Sequence, residues 1–155
     1  MKFMVAFSSP KRSARTVEVA ASHARALGAE LILMRVIPDP EKVGVVAQLI
    51  ATDRPIEKAE MQVNQVAQEL REQGIEATGK VRVGEVAPGI LKEAEEQQVD
   101  ILFLGTTGIE QKPFFLMQKD PIVHYLVDRC PITLCLVRHQ DVMDSEEADT
   151  PEGQE

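Results

Sequence analysis

The sequence predicts an α/β domain with a doubly wound, five-stranded parallel sheet and helices on both faces. Short apolar runs, typical of strands buried on both faces, alternate along the chain with segments whose apolar residues recur at helical spacing. Glycine or proline separates most of these segments. Because strands that alternate with helices form parallel sheets with right-handed crossovers, helices are expected to cover both faces.

Five segments are predicted to be strands, since each is short and rich in Val, Ile, Leu, Phe or Met. They are residues 2–7, 30–37, 75–83, 100–104 and 131–138. The third shows the alternation of a partly exposed strand at Val81 and Val83. The others read as more continuous apolar runs, which indicates a sheet interior.

Four helices are predicted between the strands, over residues 10–27, 54–73, 87–97 and 121–128. For the first, Ser9 is the expected N-cap with Pro10 at the first helical position. Gly28 and Gly74 are expected to end the first and second helices. The stretch 41–51 fits either a loop or a short helix, and the sequence does not decide between them.

The charge of the chain is unevenly distributed. The formal net charge is −8 over 155 residues, but the 15 residues at 141–155 hold seven acidic residues and no Lys or Arg. Subtracting these seven leaves 18 acidic against 17 basic residues, so the rest of the chain is nearly neutral. We therefore predict one domain over residues 1–140 and a disordered acidic tail over 141–155. No basic patch points to nucleic acid.

Other sequence features favour a cytoplasmic protein. No apolar run approaches the ~20 residues of a membrane helix, and the chain starts with a strand-like run instead of a signal peptide. Cys130 and Cys135 are expected on opposite faces of the sheet, as two reduced thiols. No spacing of metal ligands is found, so no metal site is predicted.

A ligand site is expected beyond the carboxyl ends of the strands, where open α/β sheets bind their ligands. There, Gly105, Thr106, Thr107 and Gly108 follow a predicted strand directly. Glycines allow a close approach of the backbone to an anion, and threonine hydroxyls donate to phosphate oxygens. Taken alone, the pattern fits a simple turn between strand and helix equally well.

The element order, residues 28–31 (GAEL) before the second strand and Cys130-Pro131 before the last one resemble the universal stress protein family, over residues 1 to about 138. Members that bind ATP carry G-x-x-G, nine residues, then Gly and Ser or Thr. Gly105, Gly108 and the nine-residue spacing match this pattern, but Gln118 and Lys119 replace the final pair. The resemblance therefore implies the fold and an incomplete ATP motif.

A second departure follows the first strand. Where nucleotide-binding relatives have Asp-Gly-Ser, this chain has Ser8, Ser9 and Pro10, so the carboxylate that meets the nucleoside is absent. Val36 matches the position at which relatives hold adenine with their backbone. The nucleotide-site candidates are Ser8, Ser9, Val36, Gly105, Thr106, Thr107, Gly108, Gln118 and Lys119. No catalytic residue is predicted.

Two functions are weighed. The first is a non-enzymatic, stress-response or regulatory module that does not bind ATP in the usual way and needs no cofactor. The alternative is a binder of ATP or AMP that uses the 105–108 loop, Lys119 and the basic residues of the first helix, which are Lys11, Arg12 and Arg15. An enzyme or electron-transfer subunit would need convergent ionisable residues, which the sequence does not offer.

The resemblance also implies a homodimer joined through the last strand, with Ile132, Leu134 and Leu136 at the contact. Such a dimer would cover an apolar edge strand. Residues 114–117 (FFLM) form an apolar cluster that fits packed core, a lid or a docking surface for another protein.

Overall fold

The computed structural model describes residues 1–39, 55–107 and 120–139, which fold as one parallel sheet with helices on both faces. The elements are β1 (Lys2–Ala6), α1 (Ala14–Leu27), β2 (Glu30–Ile37), α2 (Pro55–Glu72), β3 (Ala77–Val83), α3 (Val86–Glu96), β4 (Ile101–Thr107), α4 (Pro121–Arg129) and β5 (Thr133–His139). The predicted fold class is thus confirmed.

The strand order is β3-β2-β1-β4-β5, and every neighbouring pair is parallel. The chain moves outward from β1 to β2 and β3, then returns to the other side of β1 with β4. The connections after β1 and β4 therefore leave in opposite directions. This switch point opens a crevice at the carboxyl ends of the strands.

Each face of the sheet carries its own hydrophobic core. Phe3 and Val5 of β1 pack on the side of α1 and α2, whereas Met4 between them packs on the side of α3 and α4. Leu33 and Met34 of β2 divide in the same way. This alternation of fully buried residues is why the sequence of the central strands reads as a continuous apolar run.

The glycine predicted to end the first helix does so. Gly28 adopts the left-handed conformation at φ 64°, and its backbone N–H donates to the carbonyl of Ala24. A side chain at this position would meet no other atom within 4 Å. Glycine is therefore favoured here by backbone conformation and not by lack of space.

The start of the first helix was predicted wrongly. Helix α1 begins at Ala14 with Ser13 as its N-cap residue, four residues later than the Ser9–Pro10 start. Residues 10–13 form a turn in which the Ser9 carbonyl accepts from the Ser13 N–H at 2.9 Å. The Ser9 hydroxyl accepts a hydrogen bond within this turn, from the Arg12 N–H at 3.1 Å. The Ser8 N–H donates to Ser13 Oγ at 2.8 Å across the same turn.

The fourth strand is longer than predicted. It continues to Thr107, and its last three residues pair with Val137, Arg138 and His139 of β5. Residues 105–107 are therefore strand and not loop, because the neighbouring strand supplies ladder partners that local propensity cannot anticipate. The predictions for residues 41–51, 114–117 and the acidic tail 141–155 lie outside the described residues.

The two cysteines pack on opposite sides of the sheet and are both free thiols, as predicted. Burial raises the pKa of the Cys135 thiol, which keeps it protonated and unreactive at neutral pH. In the part of the chain that the structure describes, no helix combines the length and apolar character that crossing a bilayer requires.

Candidate functional site

A cleft of about 250 Å³ lies at the carboxyl ends of β1 and β4, at the switch point of the sheet. The described residues that line it come from four strand ends and from the starts of α1, α3 and α4. They are Ala6, Phe7, Ser8, Arg12, Ser13, Thr16, Val36, Val86, Ile90, Leu104, Gly105, Thr106, Asp120, Ile122, Val123 and His139. The mixture of apolar walls with a few polar groups is typical of a small-molecule site.

One wall of the cleft is apolar. Val36, at the end of β2, is 6% exposed and packs with Ile90 of α3 in the core on that side of the sheet. Gly89 of α3 lies so close that a Cβ atom there would be 3.1 Å from Val36 Cγ1. Val36 is therefore held rigidly at the edge of the cleft by helix packing. This surface suits the flat face of a base or another apolar group.

The opposite wall is a pair of serines. The Ser8 N–H donates to Ser13 Oγ at 2.8 Å, and the two hydroxyl oxygens are 3.3 Å apart. Ser13 is buried and Ser8 is exposed. Among the described residues, this serine pair offers hydroxyl groups to the cleft. Ser13 was not anticipated, although a serine just before a helical segment that begins at residue 14 is an N-cap pattern.

The floor of the cleft is Gly105. A Cβ atom there would lie 2.5 Å from Thr16 Oγ1 and 3.1 Å from His139 Nε2. The close packing of α1 and β5 against the end of β4 therefore requires glycine, whether or not a ligand binds. Thr106, the next residue, also lines the cleft.

His139 and Arg12 bring basic groups to the cleft. His139 is the last residue of β5 and is half-buried, and Arg12 lies in the turn before α1. The sequence analysis proposed Lys11, Arg12 and Arg15 as basic ligands of a nucleotide. Of the three, Arg12 is among the described residues that line the cleft, and Lys11 and Arg15 are not. Arg15 instead pairs with Glu18 on the exposed face of α1 at 2.9 Å. His139 was missed because its position at the cleft depends on the pairing of β5 with β4.

Asp120 closes the amino end of α4. Its Oδ1 atom accepts hydrogen bonds from the backbone N–H groups of Ile122 at 3.0 Å and Val123 at 3.3 Å. A helix amino end with unoccupied N–H groups attracts phosphate. Here a carboxylate of the same chain already takes these donors and adds a negative charge. Asp120 followed by Pro121 is a local N-cap signal, which the sequence analysis had not applied to the site.

The structure thus brings four of the nine predicted site residues to the cleft, namely Ser8, Val36, Gly105 and Thr106. Ser9 lines a neighbouring groove instead. Thr107 ends β4, and Gly108, Gln118 and Lys119 lie outside the described residues. The proposed role of Lys119, as a basic group in place of the motif's final Gly and Ser or Thr, therefore stays a prediction.

The cleft offers binding groups and not an obvious set of reacting groups. Within the described part of the chain, the Ser8 hydroxyl has the Ser13 hydroxyl as its hydrogen-bonding partner, whereas a serine nucleophile needs a base within reach. Among residues 1–39, 55–107 and 120–139, no three His, Cys, Asp or Glu side chains are grouped closely enough to hold a metal ion. A larger groove of about 510 Å³ between α1 and α2 lies away from the strand ends.

Fold and cleft together define a doubly wound α/β protein with a cleft at its switch point, where proteins of this class bind ligands. The sequence model of the universal stress protein family matches residues 1–138, so the chain belongs to the universal stress protein family. A search of curated proteins finds no match.

Solved structures agree with this assignment. A universal stress protein from Archaeoglobus fulgidus is 18% identical with a TM-score of 0.67, over 88% of this chain and 93% of that one. A structure of the Archaeoglobus fulgidus protein in complex with dAMP is 15% identical with a TM-score of 0.64, over 88% and 95%. An Arabidopsis thaliana family protein with AMP bound is 13% identical with a TM-score of 0.67, over 99% of both chains. At these identities the likeness establishes the fold.

Proposed function

We propose that this protein is a non-enzymatic regulatory module of the stress response, whose cleft binds an adenine nucleoside monophosphate such as AMP and does not hold ATP in the usual way. The observation that carries the proposal is the Asp120 carboxylate, which occupies the amino end of α4 at the edge of the cleft.

The size and lining of the cleft favour a small ligand. Its volume of about 250 Å³ lies just below the ~300 Å³ at which typical small-molecule pockets begin. Val36 and Ile90 provide an apolar surface for a base, and the Ser8 hydroxyl can bond to a ribose. The structures of relatives with dAMP or AMP bound support a monophosphate as the ligand.

The charges around the cleft weigh against a triphosphate. Asp120 would face the added negative charge, and its carboxylate uses the two backbone donors that a phosphate chain would otherwise take. Arg12, which also lines the cleft, supplies a positive charge for a single phosphate group. The competing proposal is an ATP site built from the 105–108 loop, Lys119 and Arg12.

The same chemistry argues against an enzyme. Ser8 has a hydroxyl partner and no base, and its exposed position fits ligand binding better than nucleophilic attack. Our proposal therefore assigns the protein a signalling role, in which an occupied or empty cleft changes its interactions in the cytoplasm. No cofactor or metal is part of this proposal.

We also propose a homodimer joined through β5, which lies at one edge of the sheet. Leu136 is 46% exposed there and is the strongest contact candidate. Ile132 and Leu134 are half-buried and pack partly against the core of their own chain, so each has less surface left for a partner. An exposed apolar edge strand is usually covered, and a second copy would cover it.

Thermal melting of the full chain with millimolar AMP, cyclic AMP, ADP and ATP tests the ligand proposal. A ligand at a hundred times its dissociation constant stabilises by about 2.7 kcal/mol, which melting detects easily. We expect AMP to raise the melting temperature more than ATP at equal concentration. A larger shift with ATP would favour the competing site, and no shift with any nucleotide would refute both.

A further inference from the structure

A second groove lies beside the cleft, between the turn at residues 8–13 and the start of α2. Its volume is about 600 Å³. The described residues that line it are Ser8, Ser9, Arg12, Arg35, Pro55, Lys58, Ala59 and Gln62. Only Ser8 and Arg12 also line the cleft, so the two depressions lie on either side of the turn.

The described charged residues that line this groove are basic. Arg12, Arg35 and Lys58 contribute to it from three separate elements, and none of the described lining residues is acidic. The acidic side chains of α2 nearest to Lys58 are Glu57 and Glu60, and both line a different surface depression. Arg35 and Lys58 place two positive charges at one groove, which favours an anion there.

Arg35 is the central member of this group. It is half-buried near the end of β2, and burial lowers the pKa of its guanidinium. Among the described residues, it makes no hydrogen bond or ion pair, whereas Arg71 and Arg82 each bond to nearby acceptors. A guanidinium partly removed from water and left without an acceptor is unfavourable. Its five N–H donors suit two oxygens of a tetrahedral anion.

The start of α2 adds to the positive potential. Pro55 is the first residue of this 18-residue helix and lines the same groove. The amino end of a long helix carries a partial positive charge, which stabilises an anion. Ser9, half-buried on the opposite side of the groove, adds a hydroxyl group.

We propose that the groove of Arg12, Arg35 and Lys58 is a binding site for a phosphate-type oxyanion, separate from the nucleotide cleft. Arg35 would bind two of its oxygens from the strand end, and Lys58 would approach from α2 as a point charge. The anion could be free phosphate or the phosphoryl group of a small metabolite, and both share this chemistry. The site does not depend on the proposed nucleotide.

Titration of the full chain with inorganic phosphate tests the site, with chloride at equal ionic strength as the reference. Binding is followed by the melting temperature and by the line width of the phosphate phosphorus resonance. We expect a saturable response in the unaltered protein. Arg35→Gln and Lys58→Gln should each raise the dissociation constant, by about tenfold for Arg35→Gln, because a charged hydrogen bond is lost. Lys92→Gln is the matched control, since Lys92 is exposed on α3 and does not line the groove.

The variants separate a real site from a general salt effect, because phosphate also stabilises proteins without binding them. An equal response in Arg35→Gln, or a response that does not saturate, would overturn the proposal. Arg35→Lys should recover part of the binding if Arg35→Gln itself is unstable. If AMP shifts the melting of the unaltered chain, it must shift that of Lys58→Gln equally, and loss of both responses in Lys58→Gln would show that no separate site exists. No AMP response in the unaltered chain would concern the proposed nucleotide function alone.

Glycerol phosphate, used in place of inorganic phosphate, distinguishes the two sources of the anion. Tighter binding of the ester, lost in Arg35→Gln, would assign the site to a phosphorylated metabolite. Tighter binding of the free ion, lost in the same variant, would assign it to inorganic phosphate. Binding of either that survives in Arg35→Gln and Lys58→Gln alike would contradict the assignment of the groove.

Discussion

Gly105 and Thr16 are in such close contact that a Cβ atom on Gly105 would lie 2.5 Å from Thr16 Oγ1. The two residues are far apart in the sequence, on β4 and α1. A glycine that the family motif associates with phosphate binding is therefore also fixed by packing. Its presence is not by itself evidence that a nucleotide binds.

Gly105→Ala is expected to destabilise the protein by about 1–3 kcal/mol, because the added methyl group overpacks a rigid contact. Urea unfolding of the purified variant measures this change. Thr16→Ala in the same chain removes the hydroxyl and should recover part of the loss, so the double variant should be more stable than the sum of the two single effects predicts. If the effects of the two substitutions on the free energy of unfolding simply add, the close contact between the two residues is contradicted.

Asp120→Asn is expected to tighten AMP binding by about twofold to fivefold, since it removes a negative charge worth ~0.3–1 kcal/mol at a helix amino end. Asparagine is as good an N-cap as aspartate, so the stability should change little. Calorimetric titration with AMP gives the affinity.

Asp128→Asn is the matched control for this substitution. It removes the same charge from the other end of α4, where Asp128 pairs with His124 at 3.5 Å on the exposed surface. An equal gain in AMP affinity in this control would mean that overall charge, and not the Asp120 cap, governs binding. A loss of affinity in Asp120→Asn would contradict the model of the cleft.

Glu93 is expected to make stability depend on pH. Burial alone would raise the pKa of its carboxyl, but hydrogen bonds and ion pairs with Lys80, Gln97 and Arg82 outweigh burial and lower it. Lys80 Nζ is 2.7 Å and Arg82 Nη1 is 2.9 Å from its oxygens. Because the pKa is lower in the folded chain than in the unfolded one, the contribution is present above the ordinary pKa of glutamate. It is lost as the pH falls through the lowered value.

Glu93→Gln should therefore reduce the free energy of unfolding at neutral pH by about 1–2 kcal/mol, a value discounted because Lys80 is 47% exposed. Urea unfolding in a series of buffers of decreasing pH should show that the variant and the unaltered protein differ less and less in their free energy of unfolding. Glu96→Gln, which alters an exposed partner of Arg82, should have a much smaller effect. A difference that stays constant with pH would contradict the lowered pKa.

Leu136→Lys is expected to convert the proposed dimer to a monomer, because a charge would replace an apolar side chain at the centre of the β5 edge. Sedimentation velocity over a range of concentrations measures the change. Met61→Lys is the control, since Met61 is 73% exposed on α2, away from this edge. A dimer that persists in Leu136→Lys, or dissociates equally in Met61→Lys, would rule out the β5 contact.

The sequence alone predicted the sheet and its helices because those signals are local. Apolar runs mark the strands, and Gly28 marks the end of α1 through its left-handed backbone. Where local signals compete, the prediction went wrong. Ser9 and Ser13 both resemble N-caps in the sequence, but α1 begins after Ser13, whose hydroxyl accepts from the Ser8 N–H and caps no N–H of the helix.

By itself the sequence determined the fold class, the family and the edge of the sheet at which a cleft lies, since element order fixes topology. Only the tertiary structure decided which side chains pack together and which charges lie side by side at that edge. The contact of Gly105 with Thr16 and the convergence of Arg12, Arg35 and Lys58 join residues that are distant along the chain. Their packing and charge arise from how the elements meet, which no local pattern encodes.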